Sequence, residues 1–173
     1  VCKAVYQVTK ESSFDIASEN LISSIEERWL QLINRIEPDD AIATCLFAWA
    51  ESGGDVRMFQ LGDGLILGKN GVEKNKEGNQ YGNETIGLGC RINASDWQVS
   101  EEYMEHGESL ALMTDGISED LVPGRELDFL HALSNAVNTK KQRVVKKYLK
   151  AQLRNWATPN HVDDKSIIVV IRN

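Results

Sequence analysis

Cysteine, proline and long apolar runs are all scarce in this chain. Three cysteines in 173 residues, Cys2, Cys45 and Cys90, stand far apart. So odd and sparse a set supplies neither a disulfide framework nor a CxxC zinc signature, and it fits a reduced, cytoplasmic setting. The three prolines, Pro38, Pro123 and Pro159, leave no proline-rich linker, and no internal repeat is visible. The longest apolar stretch, Ala41 to Ala50, contains Thr44 and is too short to cross a bilayer, so no membrane partner is expected. No basic start followed by an apolar run marks a secretory signal. Positive charge is also short, with 19 Lys and Arg against 26 Asp and Glu and a net charge of −7. An acidic chain is a poor default binder of nucleic acid, so that partner is not expected either. The same balance suits a site that holds divalent cations.

What is present is ordinary globular material. Hydrophobic residues make up 42% and charged residues 26%, which excludes disorder and low complexity. The length favours one domain, spanning 1–173, with a sizeable core. Phe14, Ala17, Leu21, Ile22, Ile25, Trp29, Leu32, Ile33 and Ile36 fall at helical spacing, so a helix is predicted over Phe14–Ile36. Val1 to Val8 reads as the tail of an earlier helix. The run Ala41–Ala50, then Val56–Leu61 and Leu65–Gly68 around Gly62-Asp63-Gly64, read as an antiparallel meander. Asn70-Gly71 is a tight-turn signal, and the polar stretch from Glu73 to Asn83 reads as a loop. Strands are predicted over Trp97–Tyr103, Leu110–Met113 and Ile167–Ile171, and helices over Glu126–Val137 and Lys140–Trp156. Grouped strands with segregated helices indicate an α+β fold. The wholly apolar strands Ala41–Ala50 and Ile167–Ile171 predict sheets covered on both faces.

Three aspartates sit at strand edges. Asp63 follows Val56–Leu61, Asp115 follows Leu110–Met113 in Thr114-Asp115-Gly116, and Asp163 precedes Ile167–Ile171. A carboxylate at a strand end is held by a rigid sheet yet faces a cleft, and the small neighbours Gly62, Gly64 and Gly116 let a ligand approach the backbone. Mg²⁺ and Mn²⁺ select such oxygens. Asp-Gly is also a common turn dipeptide, so the set persuades more than any member.

At these residues the chain resembles the metal-dependent protein phosphatases of type 2C. Asp40-Ala41-Ile42-Ala43-Thr44-Cys45-Leu46 is similar to their core strand. Phe59-Gln60-Leu61-Gly62-Asp63-Gly64 resembles their Gly-Asp hairpin, and Thr85-Ile86-Gly87-Leu88-Gly89 their Leu-Gly loop. Leu110 through Ile117 resembles their Thr-Asp-Gly segment, and His161 through Val170 their Asp-Asp segment. The likeness covers Asp40 to Asn173 well and Val1 to Glu37 loosely. It implies two packed antiparallel sheets flanked by helices, an αββα sandwich. It also implies hydrolysis of phosphoserine or phosphothreonine on a phosphorylated protein substrate, with two or three Mn²⁺ or Mg²⁺ ions. Asp115 and Asp163 would hold the inner metal, and Asp63 would help hold a further one. Activation of water by metal needs no attacking side chain, which fits the absence of a G-x-S-x-G elbow or a cysteine nucleophile motif.

The family's Asp-Gly-x-Gly-Gly loop, its phosphate-binding Arg and its first Glu-Asp pair have no counterpart before Asp40. The expectation is therefore a later portion of a longer domain, its N-terminal part missing, and a chain inactive on its own. The alternative is a phosphatase-like module that binds a partner and catalyses nothing. One further feature is a basic run, Lys140, Lys141, Arg143, Lys146, Lys147, Lys150 and Arg154, with no acid between 140 and 154. It reads first as a solvated helix face, and otherwise as a contact for nucleic acid, an acidic partner or a phosphorylated substrate. His106, His131 and His161 lack metal-ligand spacing, although His161 stands near Asp163.

Overall fold

A computed structural model describes residues 1–70, 86–138, 140–156 and 164–172. The Asn70-Gly71 turn, the loop over Glu73–Asn83, Pro159, His161 and Asp163 lie wholly or partly outside the described residues. The chain divides into two compact units, Val1–Asp63 with Asn75–Glu101, and Gly64–Lys74 with Glu102–Asn173.

The first unit opens with two helices, α1 (Cys2–Glu11) and α2 (Ser18–Ile33). Helix α1 buries Ala4 and Val8, and α2 buries Leu21, Ile22, Ile25 and Trp29, the stripe the sequence predicts. Yet α2 begins at Ser18, not Phe14. The cause is tertiary: the buried Arg57 guanidinium donates from one nitrogen to the carbonyls of Phe14 and Ile16, each at 2.7 Å. From the other it donates to Ser18 Oγ at 2.8 Å. Carbonyls turned toward a guanidinium are not aligned along a helix axis. The helix stops at Asn34, whose φ of 35° is left-handed.

Strands β1 (Cys45–Ala50) and β2 (Asp55–Leu61) form an antiparallel hairpin with Cys45 opposite Leu61 and Ala50 opposite Val56. Strand β1 is shorter than the apolar run that announced it. Ahead of it, Ala43 instead makes an isolated pair of backbone bonds with Leu88. On the far side of β2 lies a strand over Gln98–Tyr103, giving a three-stranded sheet. Phe47 stacks on Phe59 with ring centroids 4.6 Å apart, at the centre of this unit's core.

In the second unit β3 (Leu65–Leu67) pairs not with β2 but with a later strand, so the predicted meander is corrected. Counting the Gln98–Tyr103 strand as β4, that partner is β5 (Ser109–Met113), and β6 (Ile167–Ile171) completes an antiparallel sheet in the order β3-β5-β6. Leu65 and Leu67 join a cluster with Ala111 and Met113, so burial, not chain adjacency, chooses the sheet. Strand β5 is buried throughout. Coverage of both faces does not extend to β6, where Ile168 is 60% exposed. Helices α3 (Asp115–Ser118), α4 (Glu126–Asn138) and α5 (Gln142–Arg154) follow β5. The architecture is α+β, with two three-stranded sheets and segregated helices. Among the described residues no helix is long and apolar enough to cross a membrane.

Candidate functional site

The end of β5 places the first candidate. Five buried residues, Ser109–Met113, fix the strand, and Thr114 continues it in extended conformation. Thr114 then ties two distant segments. Its backbone N–H donates to the Ser166 carbonyl at 3.1 Å. Its hydroxyl donates to the Asp164 carbonyl at 3.0 Å and accepts from the Ser166 N–H at 3.0 Å. Asp115 follows as the first residue of α3, half-buried, and its Oδ1 accepts from the Gly116 N–H at 2.8 Å. An ionised carboxylate offers about four lone-pair sites. One backbone donor leaves most of them for another partner, and hard oxygen suits a hard cation. Asp163, one residue before Asp164, lies outside the described residues.

The second candidate belongs to the first unit. Asp63 is exposed in the Gly62-Asp63-Gly64 turn beyond β2. Gly62 has φ 82°, and a Cβ there would collide with the Ile86 carbonyl oxygen and stand 2.7 Å from Thr44 Cγ2. Only glycine tolerates both the angle and the approach. Beside it the Ala43 and Leu88 backbones exchange bonds of 3.0 and 2.9 Å. Thus the stretches around Asp40–Leu46, Gly62-Asp63 and Ile86–Gly89, singled out separately in the sequence, meet within the first unit. Asp63 and Asp115 fall in different units, and among the described residues no three His, Cys, Asp or Glu side chains gather as a metal-binding group.

Two buried charges escape the sequence reading. Arg57, 5% exposed, fastens the segment between α1 and α2, with its Nε 3.1 Å from Glu101 Oε1 but not aligned for a hydrogen bond. Glu102, 9% exposed, sits where a Cβ on Gly68 would strike its carboxylate. Burial pushes the Glu102 carboxyl up; the Asn70 and Lys69 backbone amides and the Lys69 ammonium pull it back less strongly. Neither oxygen has an aligned donor among the described residues. Charge inside a strand is the available signal, since alternation along β4 turns Glu102 inward while Glu101 and Tyr103 face out. The thiols play no evident part: burial pushes Cys45 up to about 12.

The sequence profile of the protein phosphatase 2C family matches residues 1–156. No curated protein sequence matches. Among solved structures, the chain is similar to the Mn-presoaked phosphatase domain of the cell fate determinant SpoIIE from Bacillus subtilis. Identity is 19%, coverage 99% of this chain and 71% of that one, and the TM-score 0.52. A structure of the same determinant's PP2C phosphatase domain with a fragment of its regulatory domain matches at 18% identity. It covers 99% of this chain and 48% of that one with a TM-score of 0.57. At such identities the likeness speaks for the fold.

Proposed function

The chain belongs to the protein phosphatase 2C family, and from that premise we propose that it forms the later part of a metal-dependent phosphatase acting on phosphoserine and phosphothreonine in proteins. In this reading Asp115 and Asp163 hold one divalent cation, and Asp63 contributes to a further one. Bound Mn²⁺ or Mg²⁺ would supply an activated water and offset phosphoryl charge. The chain's own work is placement. The observation that carries the reading is the Thr114 hydroxyl, bonded at 3.0 Å to both Asp164 and Ser166. It joins the two motif segments at the residues adjoining Asp115 and Asp163. A carboxylate on such a frame keeps its position without paying side-chain freedom again at each metal encounter. The reading keeps the protein in the cytoplasm, where thiols stay reduced.

The proposal includes inactivity of these 173 residues alone, because no upstream bridging carboxylate is encoded within them. Calorimetric Mn²⁺ titration tests it. The chain should bind Mn²⁺, and Asp115→Asn should weaken binding roughly tenfold or more, as loss of a direct ligand requires. It should not hydrolyse p-nitrophenyl phosphate. Unchanged Mn²⁺ affinity in Asp115→Asn removes the ligand assignment. Robust Mn²⁺-dependent turnover by the chain removes the claim of inactivity.

A further inference from the structure

We propose that the outer face of α5 docks a short acidic segment flanking the phosphoresidue of the protein substrate; this rests on the phosphatase reading above. Arg143, Lys146, Lys147, Lys150 and Arg154 recur at helical spacing and are all exposed, so they form one stripe along α5. No acid interrupts it. None of these side chains has an ion pair or hydrogen bond among the described residues. Like charges at three- and four-residue spacing repel along a helix, so the stripe costs the free protein stability that an anionic partner would return. An ordinary solvated face relieves the same strain by interspersing Glu, which this helix does not do.

The place of α5 in the fold and the stripe's length narrow the partner. The Trp156 Nε1–H, just past the end of α5, donates to Asp120 Oδ2 at 2.9 Å. Ile117 of α3 lines a cavity of about 120 Å³ together with Leu149 and Leu153 of α5. The helix therefore lies against the short turn that begins with Asp115. From Arg143 to Arg154 the stripe runs about 16 Å at the helical rise, the reach of about five residues of extended peptide. A duplex or a bilayer would also press its charge on the rest of a protein whose net charge is −7. The apolar side of α5 is packed onto the core through Val145, Leu149 and Leu153, so it is not free to enter lipid. The stripe carries no aromatic ring on which bases would stack. A short acidic peptide meets the cations and little else.

Fluorescence anisotropy with two labelled phosphoserine peptides, one flanked by four glutamates and one by four glutamines, tests the docking on the intact chain. The glutamate peptide should bind more tightly, with affinity falling as salt rises. Replacing Lys146, Lys147 and Lys150 by Gln keeps helix propensity and should weaken that peptide at least about tenfold while leaving the glutamine peptide unchanged. Circular dichroism should show the same helix content. Asp115→Asn should preserve the preference for glutamate, so the docking and the metal assignment fail independently. Equal binding of both peptides, an unaltered affinity after the triple replacement, or comparable stripe-dependent binding of phosphatidylserine vesicles or duplex DNA would overturn the proposal.

Discussion

Replacing Arg57 by Met tests whether one buried cation sets the boundary of α2. Methionine keeps much of the volume and removes only the charge and the donors. The guanidinium makes three hydrogen bonds of 2.7, 2.7 and 2.8 Å to Phe14, Ile16 and Ser18. It also stands 5.3 Å from the Phe59 ring centroid. Hydrogen bonds to charged groups contribute about 1.5–3 kcal/mol each, but the three share one cation whose desolvation costs several kcal/mol, so they do not add. A net loss of about 3 kcal/mol is expected, most of it from carbonyls left without a donor. Glu101→Gln supplies the control. Its side chain is 67% exposed and its contact with Arg57 is by distance alone, so its loss should cost less than about 1 kcal/mol. Urea titration followed by tryptophan emission reads both, since Trp29, Trp49 and Trp97 lie in the first unit. With a slope of about 2 kcal/mol per M, the Arg57→Met midpoint should fall by about 1.5 M and the Glu101→Gln midpoint by less than about 0.5 M. A loss below about 1 kcal/mol for Arg57→Met, or equal losses for the two variants, refutes the reasoning.

Two further outcomes follow from buried groups and backbone angles. The raised Glu102 carboxyl favours its neutral form in the fold. Its stabilising contribution is complete below the ordinary value of 4.5 and is lost as pH rises through the raised value. Glu102→Gln lacks that loss, so its stability relative to the parent should climb as pH increases above 4.5; a pH-independent difference in denaturation midpoints would contradict the assignment. Gly62→Ala adds a steric collision to a φ of 82°, whereas Gly107→Ala meets nothing within 4 Å at a φ of 88°. The second should cost about 1 kcal/mol of backbone strain and the first at least about 2 kcal/mol more; equal melting temperatures for the two would show that the Ile86 carbonyl yields freely.

Legibility in the sequence followed the range of the forces at work. Strand β6 matches its predicted Ile167–Ile171, and α4 is misplaced by one residue, because continuous or periodic apolarity is local information. The start of α2 is not local, since it depends on an arginine about forty residues later in the chain. The partner of β3 is equally hidden: Leu-Ile-Leu reads as a strand in either sheet, and only packing against Ala111 and Met113 selects one. Glu102 shows the limit of pattern reading, because an acid among aromatic and β-branched residues is normally assigned to the wet face. At the candidate site Gly62 reads as a place where a ligand nears the backbone, whereas the group that comes close to it is the chain's own Ile86 carbonyl. What a glycine meets depends on the fold.

The threonine before Asp115 illustrates how polar pairing positions a carboxylate. A valine there would satisfy strand propensity equally well and fill nearly the same space. It would leave the Asp164 carbonyl and the Ser166 N–H without the partner they find in the Thr114 hydroxyl, which acts as donor to one and acceptor to the other. These bonds, with the Thr114 N–H to the Ser166 carbonyl, extend the pairing of β5 and β6 one step past Met113 and Ile167. The ladder thus ends on a side chain rather than fraying, at the point where the chain turns into α3. A carboxylate one residue beyond that lock inherits the rigidity of a buried strand while staying half-exposed itself. That combination, fixed backbone and accessible oxygen, is what a hard-cation ligand needs, and apolar packing alone would not produce it.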